Sequence, residues 1–303
     1  MSKVIIGIHG LANKSRRHVL KTWWRDSIAE GLRHNQGIAQ PHFRFEMVYW
    51  ADLLYKHPLH DDAAFSFDKL YNKEPYYPAR KKDLERYEDR WIDRVRAEGT
   101  EIVGRGLEAV KDTLGVGRIA DALLARVLRD LAFYWDRARK IKGRNGVLRQ
   151  AEDVLNAECR DALVEQKQHE ICLIAHSMGT IIAYNVLRDL GRTDLGIEVP
   201  YYVTIGSPLG LAHVKSKTRE TRWDNKVRTP SIVTERWVNL ADRRDPVAFD
   251  THLADDYGPN ALGVRAVDDL VLNDYAMDDP NPHKSYGYLR TPEMSALIAS
   301  FLQ

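Results

Sequence analysis

The chain has 303 residues, 44% of them hydrophobic, which is enough for one large core or a core with a smaller subdomain. Its 45 basic and 43 acidic residues leave a formal net charge of +2, so there is no electrostatic case for nucleic acid as a partner. The two cysteines, Cys159 and Cys172, lack metal-ligand spacing, so a disulfide framework is not expected, and a reducing compartment fits that usage.

Lys3 to Ile8 is β-branched and apolar nearly throughout and ends in "HGLANK". A short apolar run bounded by Gly suits a strand buried on both faces, and this run is too short for the hydrophobic core of a signal peptide. Nothing downstream reaches the ~20 apolar residues of a membrane span, so the expectation is a soluble, cytoplasmic protein. "HVLKTWWRDSIAEGL" follows, with Leu20, Trp23, Trp24, Ile28 and Leu32 at helical spacing, and closes in the polar turn "RHNQG". "HFRFEMVYW" reads as a second strand, in which Phe43, Phe45 and Met47 alternate. A β-α-β opening predicts a parallel sheet with a right-handed crossover.

From 51 to about 146 the chain turns rich in charge and Tyr. Its periodicity is helical, as in "ADALLARVLRDLAFYW", where Leu124, Val127, Leu131 and Tyr134 share a face. No strand is predicted there; the reading is a helical insertion that could serve as a cap or lid. Its basic run "RARKIKGR", from Arg137, reads as a solvated face that could touch anionic headgroups.

Strand and helix then alternate again. A helix is expected from Gly146 to about Gln166, a strand over Ile171–Ala175, and a helix over Gly179–Leu190 closed by Gly191. Strands are expected at Tyr201–Gly206, Thr234–Leu240 and Val264–Asn273. The last helix surrounds "TPEMSALIASFL", with Thr291 as N-cap and Pro292 in the first turn. The predicted architecture is a single α/β domain over 1–303 in three layers, with a mostly parallel sheet of about six strands and helices on both faces.

The chemistry gathers at "AHSMG", where a buried strand gives way to a helix. A nucleophile elbow needs a strained serine there, with small residues two places before and two after it. Ala175 and Gly179 fill those places around Ser177, Ala175 standing where glycine is usual. Serine is a weak nucleophile without a base, and the base is usually a histidine oriented by a carboxylate. In this architecture the chain order is Ser, acid, His. "NLADRRDPV" offers Asp245, whose turn Pro246 would fix, with Asp242 as the alternative; "NPHKSYGYL" offers His283. His213 precedes the acid, His252 lies too close to it for an intervening strand, and His176 should point away from Ser177. The amides of Met178 and Leu11 are the expected oxyanion donors, with Gly10 letting the backbone approach. Gly10, His176, Ser207, Pro208 and Asp52 are candidates for the substrate pocket; for Asp52 a helix-start cap is the other reading. No metal or organic cofactor is required.

The segments "IHGL", "AHSMGT", "TIGSPLG", "WVNLADRRDPV" and "PHKSYGYL" together resemble the α/β-hydrolase superfamily, in its lipase and serine-esterase branch, and more distantly the GPI-inositol-deacylase-like group. The resemblance covers residues 1–50 and 147–303. Many members carry their cap after the strand that follows the nucleophile strand; here the insertion comes earlier. The resemblance implies a serine hydrolase acting on a small ester or acyl-lipid substrate through an acyl-enzyme. Thioesters or amides suit the same machinery, and a non-catalytic protein that uses the fold for binding is the rival expectation.

Overall fold

A computed structural model describes residues 2–10, 12–59, 76–79, 128–129, 131–218, 227–273, 275–276 and 281–303. Most of the expected insertion, including Leu124 and Val127, and the expected oxyanion donor Leu11 lie outside these residues.

The core is a six-stranded, all-parallel sheet. Its strands are β1 (Lys3–Ile8), β2 (Arg44–Val48), β5 (Glu170–His176), β6 (Val199–Ile205), β8 (Val233–Ala241) and β10 (Ala266–Leu270), in the spatial order β10-β8-β6-β5-β1-β2. Two small pairs stand apart: β3 (Lys140–Lys142) with β4 (Leu148–Gln150), and β7 (Val227–Arg228) with β9 (Tyr257–Gly258).

The period of two along each central strand builds the layers. In β1, Val4, Ile6 and Ile8 enter one core and Ile5 the other; in β5, Ile171, Leu173 and Ala175 oppose Cys172 and Ile174. The first core is covered by α3 (Ala151–Glu165) and α4 (Met178–Leu190), through Leu155, Leu163, Ile182 and Val186. The second is covered by α1 (Arg17–Gln36), α6 (Ser285–Leu289) and α7 (Pro292–Leu302), through Leu20, Trp24, Ile28, Leu289, Met294 and Ile298. The result is a three-layer α/β sandwich. The short α2 (Ala51–Leu54) and α5 (Ala212–Thr218) complete the helices that the described residues form in full, beside a helical stretch at 131–135. Among the described residues no helix is long and apolar enough to cross a membrane.

The helix ends follow local chemistry. Gly37 closes α1 at φ 67°, donating its N–H to the Leu32 carbonyl. At the start of α7 the Thr291 side chain accepts the Met294 N–H, with Pro292 in the first turn. Gly191 ends α4 without a left-handed turn, at φ −64°, and an added Cβ there would clash only with the Ser231 hydroxyl, the end of a side chain that can turn aside.

The structure departs from the sequence reading between 140 and 150. A helix was expected from Gly146 and no strand before it; instead an antiparallel hairpin runs through β3 and β4, and α3 begins at Ala151. The cause is the turn "GRNG". Gly146 sits at φ 77°, Gly143 donates to Val147 O, and the Asn145 side chain accepts the Val147 N–H. An Asn-Gly pair is a strong hairpin signal, and here it overrides the helical periodicity. The basic run from Arg137 therefore lies partly on a hairpin strand, with Lys140 and Lys142 exposed.

Helix α1 approaches the start of α7 at Gly31. A Cβ there would stand 2.6 Å from Ser295 Oγ and 2.9 Å from the Arg290 Cα. By propensity alone, Gly→Ala inside a helix stabilises by about 1 kcal/mol. Here the Arg290 backbone has no room to yield, so Gly31→Ala is expected to lower stability by about 1–3 kcal/mol in urea unfolding. A stabilised variant would show that the two helices can separate at little cost.

Candidate active site

The strand order reverses between β1 and β5, since the chain runs outward from β1 to β2 and then outward again from β5 through β6, β8 and β10. Such a switch point opens a crevice at the carboxyl ends of the strands. Ser177 follows the end of β5 there, and Gly10 follows the end of β1.

Ser177 takes φ 55° and ψ −130°, a conformation that costs a side-chain-bearing residue roughly 1–3 kcal/mol. The turn is held from both sides. The Ser177 N–H donates to Ile205 O at 3.1 Å, and the Ser177 carbonyl accepts from Thr180 N at 2.9 Å and Thr180 Oγ1 at 2.7 Å. Close backbone passage explains the small residues. A Cβ on Gly179 would lie 2.7 Å from His9 O, and one on Gly10 would lie 2.8 Å from Ser177 Cβ. The Ala175 methyl is fully buried in the core between strand and helix.

Asp245 lies beyond β8 and His283 beyond β10. His283 Nδ1 donates to Asp245 at 2.8 and 2.9 Å, which leaves Nε2 to accept the Ser177 hydroxyl at 3.0 Å. All three residues are buried, Asp245 at 1% exposure and the other two at 5%. Asp245 also accepts Val247 N–H at 2.9 Å and the Tyr288 hydroxyl at 2.8 Å. Burial and the Asp245 charge push the Tyr288 phenol well above its ordinary pKa, so it stays a donor.

No protein-family model and no curated protein matches this chain.

Of the two candidate acids, Asp245 is the one in contact with His283. Asp242 is engaged elsewhere: it pairs with Arg244 at 2.7 Å and accepts the Asn273 N–H at 2.6 Å. The Asn273 amide then donates to the carbonyls of Pro282 and Lys284, the residues on either side of His283, at 2.8 Å each. Asp242 thus braces the histidine loop. Met178 heads α4 directly after Ser177, so its amide is one of the helix's unpaired first-turn donors.

Gly10 and His176 line the cleft over Ser177. His176 turns from the serine, as expected, and donates through Nε2 to the His283 carbonyl at 2.7 Å, its ring 4.6 Å from that of His283. The other candidates, Ser207, Pro208 and Asp52, are not among the residues that line this cleft. Ser207 Oγ bonds Thr180 Oγ1 at 2.9 Å and accepts Leu209 N–H, and the Pro208 carbonyl accepts Leu211 N–H. The Asp52 carboxylate meets Arg144 at 3.0 Å, and the position before α2 belongs to Trp50, so Asp52 is not its cap. Among the described residues no cluster of three or more His, Cys, Asp or Glu could hold a metal ion.

Sequence reasoning passed over His9, which is 1% exposed. Its Nδ1 donates to the Gly10 carbonyl at 2.6 Å and its Nε2 accepts the Trp50 N–H at 3.3 Å, so the ring fixes the loop that faces Ser177. Burial, with the Lys14 charge, lowers its pKa from 6.5 to about 3. Tyr288 and Asn273 were also unforeseen. Tyr288 stands five residues after His283, within the quoted "PHKSYGYL", but nothing in that spacing says it will reach Asp245.

The unfolded chain protonates His9 below pH 6.5, whereas the folded chain refuses that proton until about pH 3. The stability held above pH 6.5 is therefore lost as pH falls towards 3. The urea midpoint should drop from pH 7 to pH 5, a window above most carboxylate titration. The drop should be shallower in His9→Gln; equal slopes in the two proteins would show that His9 is not held neutral.

Proposed function

We propose that the protein is a serine hydrolase acting on carboxylic esters, of the α/β-hydrolase type that its motifs resemble. One observation carries the reading: a serine in a strained strand-to-helix turn donates to a histidine that is itself bonded to a buried carboxylate. That chain of contacts is what activation of a hydroxyl requires.

In this mechanism Ser177 Oγ attacks the ester carbonyl while His283 Nε2 takes the hydroxyl proton. Asp245 holds the ring in the needed tautomer and stabilises the imidazolium. The oxyanion draws on the Met178 amide at the head of α4, where the helix dipole also favours negative charge, and, as the second donor, on the amide of Leu11, the residue after Gly10 in the chain. Collapse breaks the ester C–O bond, and His283 returns its proton to the departing alcohol. Water, deprotonated by His283, attacks the acyl-enzyme and releases the carboxylic acid with Ser177 restored. Tyr288 keeps Asp245 in place, and neutral His176 steadies the His283 backbone without competing for the serine proton. The setting we propose is the cytoplasm, where the buried free thiols of Cys159 and Cys172 stay reduced.

A fluorophosphonate probe should label the wild type and not Ser177→Ala. Asp245→Asn should lower kcat by about 10³–10⁴-fold. Asp242→Asn should lower the urea midpoint and retain a larger share of kcat. Labelling that survives Ser177→Ala, or a wild type that is not labelled, overturns the reading; the reverse order of the two Asp variants overturns the assignment of the acid.

A further inference from the structure

The hairpin of β3 and β4 carries charge of one sign. From Arg137 to Gln150 the chain has six basic residues and no acidic one. The register sets Lys140 opposite Gln150, Ile141 opposite Arg149 and Lys142 opposite Leu148. Side chains alternate across a strand pair, so Lys140, Lys142 and Leu148 share a face. Ile141, on the other face, packs against the first core, which turns the lysine face outward. Lys140, Lys142 and Arg149 are exposed, and Leu148 and Val147 leave 55% and 51% of their surface in water.

The basic residues divide by what they meet. Arg144 is spent inward: it pairs with Glu158 at 2.7 Å and Asp52 at 3.0 Å and donates to the Tyr49 carbonyl at 2.8 Å. Arg139 lies over the Phe133 ring, and Arg137 acts on Glu152. The acids nearest in the chain stand at the base of the hairpin: Asp136, whose carboxylate accepts the Ala138 N–H, and Glu152 and Asp153 in the first turn of α3. Among the described residues Lys140, Lys142 and Arg149 have no ion-pair partner. Arg144 also fixes where the turn sits, because Tyr49 directly follows β2, at the sheet edge that holds Ser177.

We propose that the outer face of this hairpin docks on a bilayer that contains anionic phospholipid. Lys140, Lys142 and Arg149 meet the headgroup phosphates, and Val147 and Leu148 enter the boundary with the acyl chains. The combination selects the partner. A nucleic acid backbone would answer the charge and leave both apolar side chains in water; a lipid surface answers both. Because Arg144 ties the turn to the sheet edge that holds Ser177, docking keeps that edge close to the lipid. The proposal goes beyond the hydrolase reading and stands whether or not Ser177 is the nucleophile.

The test is sedimentation of the full chain with vesicles of phosphatidylcholine, alone or with about 30% phosphatidylserine. The wild type should bind the mixed vesicles about tenfold or more tightly than the neutral ones, and the difference should shrink as salt rises from ~0.05 to ~0.5 M. Lys140→Gln with Lys142→Gln should weaken binding about tenfold, and Lys140→Arg with Lys142→Arg should keep it. The same change of net charge at two exposed lysines elsewhere, Lys167→Gln with Lys217→Gln, should leave binding intact. Leu148→Ser should weaken it by about threefold or more. Equal binding to the two vesicles, binding to neither, or a control pair as damaging as the hairpin pair would overturn the proposal. Full binding by Leu148→Ser would overturn it as well, and duplex DNA captured through the same lysines would then assign the face to nucleic acid. A protein that docks as described yet takes no fluorophosphonate label would overturn the hydrolase reading alone.

Discussion

A single backbone conformation organises this protein. Ser177 sits at φ 55° and ψ −130°, where a residue with a side chain does not settle unless its surroundings hold it. Those surroundings come from several strands. The end of β6 accepts the Ser177 N–H through Ile205, the first turn of α4 binds the Ser177 carbonyl through Thr180, and the end of β1 passes against Gly179. The strain is affordable only because β5 lies inside a sheet whose two faces are both covered. The same turn directs the hydroxyl at His283 rather than into the core.

Around that turn the buried polar groups divide into those that carry charge and those kept neutral. Asp245 is surrounded by donors from Val247, Tyr288 and His283. Burial holds His9 and His176 neutral, and each donates to a carbonyl, Gly10 on one side of the serine and His283 on the other. Two neutral imidazoles thus act as struts for the loops that flank the cleft. Asp242, bound to Arg244 and Asn273, does the same for the loop that bears His283. The two carboxylates three residues apart therefore have different tasks, set by what each one meets.

Much of this was legible in the chain. The central strands announce themselves as short β-branched runs, and the observed β1 coincides with the expected Lys3–Ile8. The N-cap at Thr291 followed from a local rule and has the hydrogen bond that rule describes. The hairpin at β3 and β4 was missed although its turn stands in the sequence, because Gly146 was taken as the start of a helix rather than as the positive-φ residue of an Asn-Gly turn. The candidate site was legible as an order, serine before acid before histidine. The choice between Asp242 and Asp245 was not, since both follow the same strand and a Pro beside one of them is a weak guide to where either carboxylate points. Ser207, Pro208 and Asp52 were placed at the correct sheet edge, but an edge has more positions than a cleft has walls.

By itself the sequence determined the layered α/β plan, the location of the strained turn and the residues able to meet there, because periodicity and small-residue spacing are local properties of the chain. Only the tertiary structure decided which carboxylate reaches His283 and what His9 and Tyr288 support. Those outcomes depend on how separate strand ends come together at one edge of the sheet. Hydrogen bonds and charges act over a few ångströms, and the folded sheet alone brings residues so distant in the chain within that reach.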